Sequence, residues 1–264
     1  MEKKNGTKLY LLILWTITLI VVVLALFYHV FKFNVEIFHI GKASAPGPMQ
    51  EIYYKADVID SIDIETDAAD VDIVYGKELK IEHNYPEDYA PTIKVRDGKL
   101  SVTQHIDKIS LGDISDYKLN ITVPDNTDLN SVKIDTDAGD IDLKGLNIQS
   151  LQIEADAGDI NLKDLNTKDV NVSTNAGDID LESSEFDYIS INTDLGDIEL
   201  SDTDFYRGEI TADCGNISVD GDFERLKVKC DLGDISVNVP DPETKDLDLD
   251  CDLGSVKVNG KKWN

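Results

Sequence analysis

Basic side chains are scarce in this chain of 264 residues: 25 Lys and Arg stand against 52 Asp and Glu, a formal net charge of -27. Four of those bases, Lys3, Lys4, Lys8 and Lys32, fall in the first 32 residues beside one acid, Glu2. By subtraction the remainder carries a net charge of about -30. Such a surface repels phosphate backbones, acidic envelope polymers and acidic phospholipids, so nucleic acid is excluded as a natural partner. Cations and basic proteins are its counterparts. Cysteine is nearly absent. Cys214, Cys230 and Cys251 make no disulfide framework in a domain of this size, and their odd number leaves at least one free within the chain.

Histidine is equally rare. His29 lies in an apolar stretch, and His39, His83 and His105 form no H-E-x-x-H or other metal spacing. Lone histidines at such places are expected at the solvent-exposed surface. The G-x-S-x-G elbow, the P-loop and the dinucleotide fingerprint are all missing. An enzymatic claim must rest on site chemistry, and these absences point to a non-enzyme with no cofactor.

What is present begins with Leu9 to Phe31, about 23 residues without a formal charge. At about 1.5 Å per residue this spans a hydrocarbon core of roughly 30 Å as one transmembrane helix. Lys3, Lys4 and Lys8 precede it, which places residues 1–8 in the cytoplasm and everything after the helix outside. Ala43-Ser44-Ala45 has the small-x-small pattern of a cleavage site, but it lies well past the apolar run and Pro46 follows it. The run is also longer than a signal-peptide core, so a retained anchor is the stronger reading. Residues 32–49 then form a linker, rich in small residues and Pro around Gly41–Pro48.

From Ser131 one unit of sequence recurs: SVKIDTDAGDIDL, SLQIEADAGDINL, DVNVSTNAGDIDL, YISINTDLGDIEL, GEITADCGNISV, LKVKCDLGDISV and LDLDCDLGSVKV. The glycines Gly139, Gly158, Gly177, Gly196, Gly215, Gly233 and Gly254 are separated by 19, 19, 19, 19, 18 and 21 residues. A period held this tightly marks a solenoid. Within each copy apolar residues alternate, as Leu151, Ile153 and Ala155 do before the glycine and Ile160 and Leu162 after it. That is a pair of short strands joined at a glycine corner, with positive φ at the glycine and an adjacent Asp accepting the turn's own N–H groups. Leu146, Leu165, Phe186, Phe205 and Phe223 are expected to seal a third side.

One copy cannot bury its own apolar face, whereas stacked copies bury all of them. The expected fold is therefore an all-β, right-handed β-solenoid, its seven copies rising to roughly 35 Å at about 4.8 Å per rung. An antiparallel sandwich is the rival, but it demands no fixed period. A degenerate copy, Ser61–Ile73, carries Ala69 at the glycine position. Residues 50–130 read as amino-terminal rungs and cap, and 131–264 as the regular repeats. At the far end Asn259-Gly260 signals a turn and Trp263 could cover the last rung.

The unit (D/N)-x-G-D-I-x-L, the lead-in LNITVPDNTDLNSVKIDTDAGDIDL and the opening IDIETDAADVDIV resemble the putative-adhesin β-strand-repeat family, a domain of unknown function on bacterial envelope proteins. The likeness spans about residues 50–260. It implies a β-solenoid-like fold and a role in adhesion or envelope stress, and it carries over no catalytic residues. Some β-helices are polysaccharide lyases, which resemblance would equip with Arg or Lys bases and calcium. Arg96, Arg207 and Arg225 are the only arginines here, with no pair expected at repeat-equivalent positions.

Two acidic rows flank the glycine corner. Asp137, Asp156, Asn175, Asp194, Asp213, Asp231 and Asp252 form one; Asp140, Asp159, Asp178, Asp197, Asn216 and Asp234 form the other. Like charges roughly 5 Å apart repel by a little under 1 kcal/mol per pair in water, and Ca²⁺ would relieve this. The alternative is ordinary turn capping with the carboxylates solvated, and the G-D order departs from the calcium-binding nonapeptide. Cys230 and Cys251, each three residues before a glycine, should be neighbours in adjacent rungs, as buried thiols or as a disulfide. The leading function is a non-enzymatic, membrane-anchored binding or scaffold module outside the cell membrane, with a basic protein as partner. A self-assembling structural polymer and a cation-responsive module are the alternatives.

Overall fold

The computed structural model describes residues 47–53, 59–106, 117–125 and 127–263. The expected cytoplasmic segment 1–8, the apolar run 9–31, linker residues 32–46, His29 and His39 lie outside the described residues. Among the described residues no helix is long and apolar enough to cross a membrane.

Alternating apolar residues build a right-handed β-solenoid in which each rung contributes a long strand to one sheet and a short strand to the other. Long strands Asn147–Ala157, Asn166–Ala176, Glu185–Leu195 and Asp204–Cys214 alternate with short strands Ile160–Lys163, Ile179–Glu182 and Ile198–Ser201. Neighbours run parallel and pair equivalent residues: Leu151 lies opposite Val170, Val170 opposite Ile189, and Ile189 opposite Gly208. The glycine intervals are therefore the strand register itself.

Departures from 19 residues are confined to the second corner, between a short strand and the next long one. Rung Ile217–Asp220 loses one residue there and turns through Gly221, where a Cβ would lie 1.9 Å from the Thr203 carbonyl oxygen. The following rung gains residues, which form the turn Pro242–Thr244. From each glycine to the next short strand the spacing is constant, because that corner is set by backbone contact between rungs.

The third side is built differently from the sequence expectation. Two consecutive exposed residues, such as Gln149 and Ser150, interrupt alternation and bend each long strand, so its first residues form that side. Two buried columns fill it rather than one. Ile148, Thr167, Phe186, Phe205 and Phe223 pair in register. Leu146, Leu165, Ser184 and Thr203 stand two residues earlier. Their volumes compensate: Leu165 accompanies Thr167, while Ser184 accompanies Phe186, keeping the interior filled. The buried Ser184 hydroxyl accepts the Leu165 N–H at 3.0 Å and donates to the Glu182 carbonyl at 2.9 Å.

At the amino-terminal end the order in space departs from the order in sequence. Strand Ser61–Thr66 lies between Asp128–Thr136 on one side and Lys99–Gln104 on the other. Strand Asp70–Gly76 lies likewise between Ile141–Lys144 and Lys118–Pro124. The degenerate copy is thus the second rung of the stack, entered between segments that follow it in sequence. Tyr75 holds the crossing, its hydroxyl donating to the Thr127 carbonyl and accepting the Asn147 N–H. Strand Thr92–Arg96 then covers the end of one sheet and Lys80–His83 with Gln50–Tyr53 the other. At the far end Asn259 and Gly260, at φ +50 and +72, make the hairpin that lays Lys261–Lys262 antiparallel on Val256–Val258. Among the described residues the short-strand sheet has 12 strands and the long-strand sheet 10, so the former projects one strand further at each end.

Candidate functional site

The glycine corner carries the most regular chemistry on the surface. At Gly158, Gly177, Gly196 and Gly215 φ lies between +134 and +154, and a Cβ would sit 1.8–2.1 Å from the preceding corner's carbonyl oxygen. Gly254 faces the same obstruction at 1.6 Å. Close approach of stacked backbones, more than the turn itself, demands glycine. Among the described residues Gly139 is the last glycine of the column, and it packs against the carbonyl of Ala69.

The acidic row after the glycine is a ladder of hydrogen bonds between rungs, not caps on each turn's own N–H groups as expected. Asp159 N–H donates to Asp140 Oδ1 at 3.0 Å, Asp178 N–H to Asp159 at 2.9 Å, and Asp197 N–H to Asp178 at 2.7 Å. Asn216 N–H continues to Asp197 at 2.7 Å, Asp234 N–H to Asn216 at 3.0 Å, and Ser255 N–H to Asp234 at 2.8 Å. Asp70 of the degenerate copy starts the series, accepting from Asp140 N–H at 3.2 Å. The bonds to Ser255 hold the Asp234 carboxyl below the usual range.

The other row, Asp137, Asp156, Asn175, Asp194, Asp213, Asp231 and Asp252, projects to solvent or its margin. Asn175 Nδ2 donates to Asp156 Oδ1 at 2.9 Å, so one amide separates two carboxylates. Asp137 is raised, first by burial and then by Asp67, Asp156 and Asp135. Among the described residues no group of three or more His, Cys, Asp or Glu side chains is arranged to hold a metal ion.

Cys230 and Cys251 lie opposite each other in adjacent rungs. Both are free thiols, donating to the Gly215 and Gly233 carbonyls at 3.3 and 3.1 Å. Burial, then the neighbouring Cys251, pushes the Cys230 thiol up to about 11. Two further sequence expectations fail. His83 is buried rather than exposed, packed against Tyr85, and desolvation lowers its pKa. Arg207 and Arg225 do occupy equivalent positions, directly opposite each other; the one-residue deletion between them hides this from a fixed count of 19. Both are exposed and bound to acids, Arg207 to Glu209 at 2.7 Å and Arg225 to Asp246 at 2.6 Å.

Sequence reasoning also missed two surface features. At the second corner Glu185, Asp204, Asp222 and Glu224 rim a shallow groove of about 240 Å³ over Phe186, Phe205 and Phe223. One rung further on, the ammonium of Lys245 sits 2.8 Å from Asp222 and 3.6 Å from Glu224. The second is an outward column of Leu195, Cys214, Leu232 and Leu253, signalled in the sequence by the change from A-G to L-G.

The model of the family described as Toastrack DUF4097 matches residues 59–262. A putative adhesin from Bacteroides fragilis NCTC 9343 shares the fold at a TM-score of 0.52 and 19% identity, covering 80% of this chain and 97% of its own. A putative adhesin from Parabacteroides distasonis ATCC 8503 gives 0.49 and 15%, covering 80% and 96%. At these identities the likeness is one of fold alone. Among curated proteins none matches the chain.

Proposed function

Because the chain belongs to the Toastrack DUF4097 family, we propose that it is a non-enzymatic binding and scaffold module, anchored by residues 9–31 on the outer side of a bacterial cell membrane. The observation that carries this reading is the register. Parallel rungs locked by backbone bonds and by the Asp140–Asp234 ladder make a rigid surface whose net charge favours basic protein partners. A rigid acidic face selects by charge and shape without the ordering cost of a flexible one. The Bacteroides fragilis protein of like fold is named for adhesion, in agreement with a binding role. The ends argue against the polymer alternative: among the described residues the short-strand sheet projects one strand beyond the other at each end, so a flush end-to-end stack would leave the long-strand sheet unpaired. The test is capture of envelope proteins by the full chain at graded salt. Specific basic partners released by high salt support the proposal; recovery of none, or of salt-insensitive acidic ones, refutes it.

A further inference from the structure

The residue just before the corner glycine divides the regular rungs into two groups. Ala138, Ala157 and Ala176 hold it in the first three, and Leu195, Cys214, Leu232 and Leu253 in the last four. Register places the latter in one column, Leu195 opposite Cys214, Cys214 opposite Leu232, and Leu232 opposite Leu253. The leucines face away from the core, Leu195, Leu232 and Leu253 being 57%, 52% and 68% exposed, with Cys214 half-buried between them. The fold asks for no large apolar side chain at this position, since Ala serves in three equivalent rungs. Acids border the stripe on both sides, Asp194, Asp213, Asp231 and Asp252 on one and Asp197 and Asp234 on the other.

The geometry points to this stripe as the seat of a basic amphipathic helix lying along the solenoid axis. The inference rests on the binding role proposed above and names its surface and partner. Rungs rise about 4.8 Å, so the four side chains span about 14 Å. A helix whose apolar residues recur every 3.5 positions advances about 5.3 Å per contact, about 1.4 Å out of step over three contacts. An extended strand advances about 6.7 Å and falls about 6 Å out. A helix therefore fits where a strand does not. Lys and Arg bordering its apolar face would meet acids on both flanks. The same flanks repel a second copy of this face and an anionic membrane.

The test titrates the full chain, in nanodiscs of zwitterionic lipid with empty discs as reference, against a Leu/Lys peptide of about 15 residues patterned as an amphipathic helix. A scrambled isomer of equal charge is the comparison. The patterned peptide should gain helical circular dichroism on binding and bind at least about tenfold more tightly than the isomer. Combined Leu195→Ala, Leu232→Ala and Leu253→Ala should remove that advantage without changing the melting curve. Equal binding of both peptides overturns the stripe while leaving charge-driven binding standing, and binding of neither overturns both. A triple variant that keeps the peptide but loses affinity for zwitterionic vesicles assigns the stripe to lipid and overturns the helix.

Discussion

Replacing Gly177 by Ala places a methyl carbon 2.0 Å from the Gly158 carbonyl oxygen and 2.6 Å from its carbon, where ordinary contact begins near 3.4 Å. Neither partner is a flexible side chain. Relief requires the two rungs to part at the corner, straining the bonds Gly158 N–H to Ala176 O, Ile160 N–H to Asp178 O, and Asp178 N–H to Asp159 Oδ1, each 2.9 Å. At about 1 kcal/mol per bond, with about 1–3 kcal/mol for a side chain at φ +149, the loss is about 4–6 kcal/mol. Gly145→Ala is the control, with φ +70 and nothing within 4 Å of the added methyl. Asp164, Ser183 and Asp202 occupy that same corner at φ +54, +53 and +48, so a side chain is tolerated and the cost is about 1 kcal/mol. Urea unfolding by far-ultraviolet circular dichroism compares the two, with amide exchange to show whether the flanking rungs open first. Equal destabilisation by the two substitutions would refute the backbone-contact account of the glycine column.

Three further outcomes are expected. Millimolar Ca²⁺ should raise the melting temperature no more than NaCl at matched ionic strength, because the Asp140–Asp234 row already accepts backbone N–H groups; a larger shift means the rows gather a cation. Asp180 is raised by burial first, then by Glu199, Asp178 and Asp159, so its charged form costs stability at neutral pH and that cost fades as pH falls through the raised value toward 3.8. Asp180→Asn should accordingly raise the melting temperature at pH 7 and lose its advantage near pH 4, whereas a pH-independent gain would show that charge is not the cause. Alkylation at pH 8 followed by mass spectrometry should label outward-facing Cys214 well before Cys230, whose thiol burial keeps protonated; the reverse order would mean that the Cys230–Cys251 rungs open readily.

The sequence alone determined the solenoid, its period, its two sheets and the adjacency of Cys230 and Cys251. Side-chain alternation and glycine spacing are local quantities, and parallel in-register stacking copies them directly into space. It also marked the degenerate copy at residues 61–73, but not its place. Only the tertiary structure put that copy second in the stack, since which neighbours fill the two free edges of a rung depends on how a long connection returns. Tertiary contact likewise turned turn-capping carboxylates into a ladder between rungs. An Asp side chain can reach its own turn or the next one, and the separation of stacked backbones at the glycine decides between them. The outward leucines were legible as letters but silent as a surface, because exposure is a property of the assembled corner rather than of the residue that occupies it.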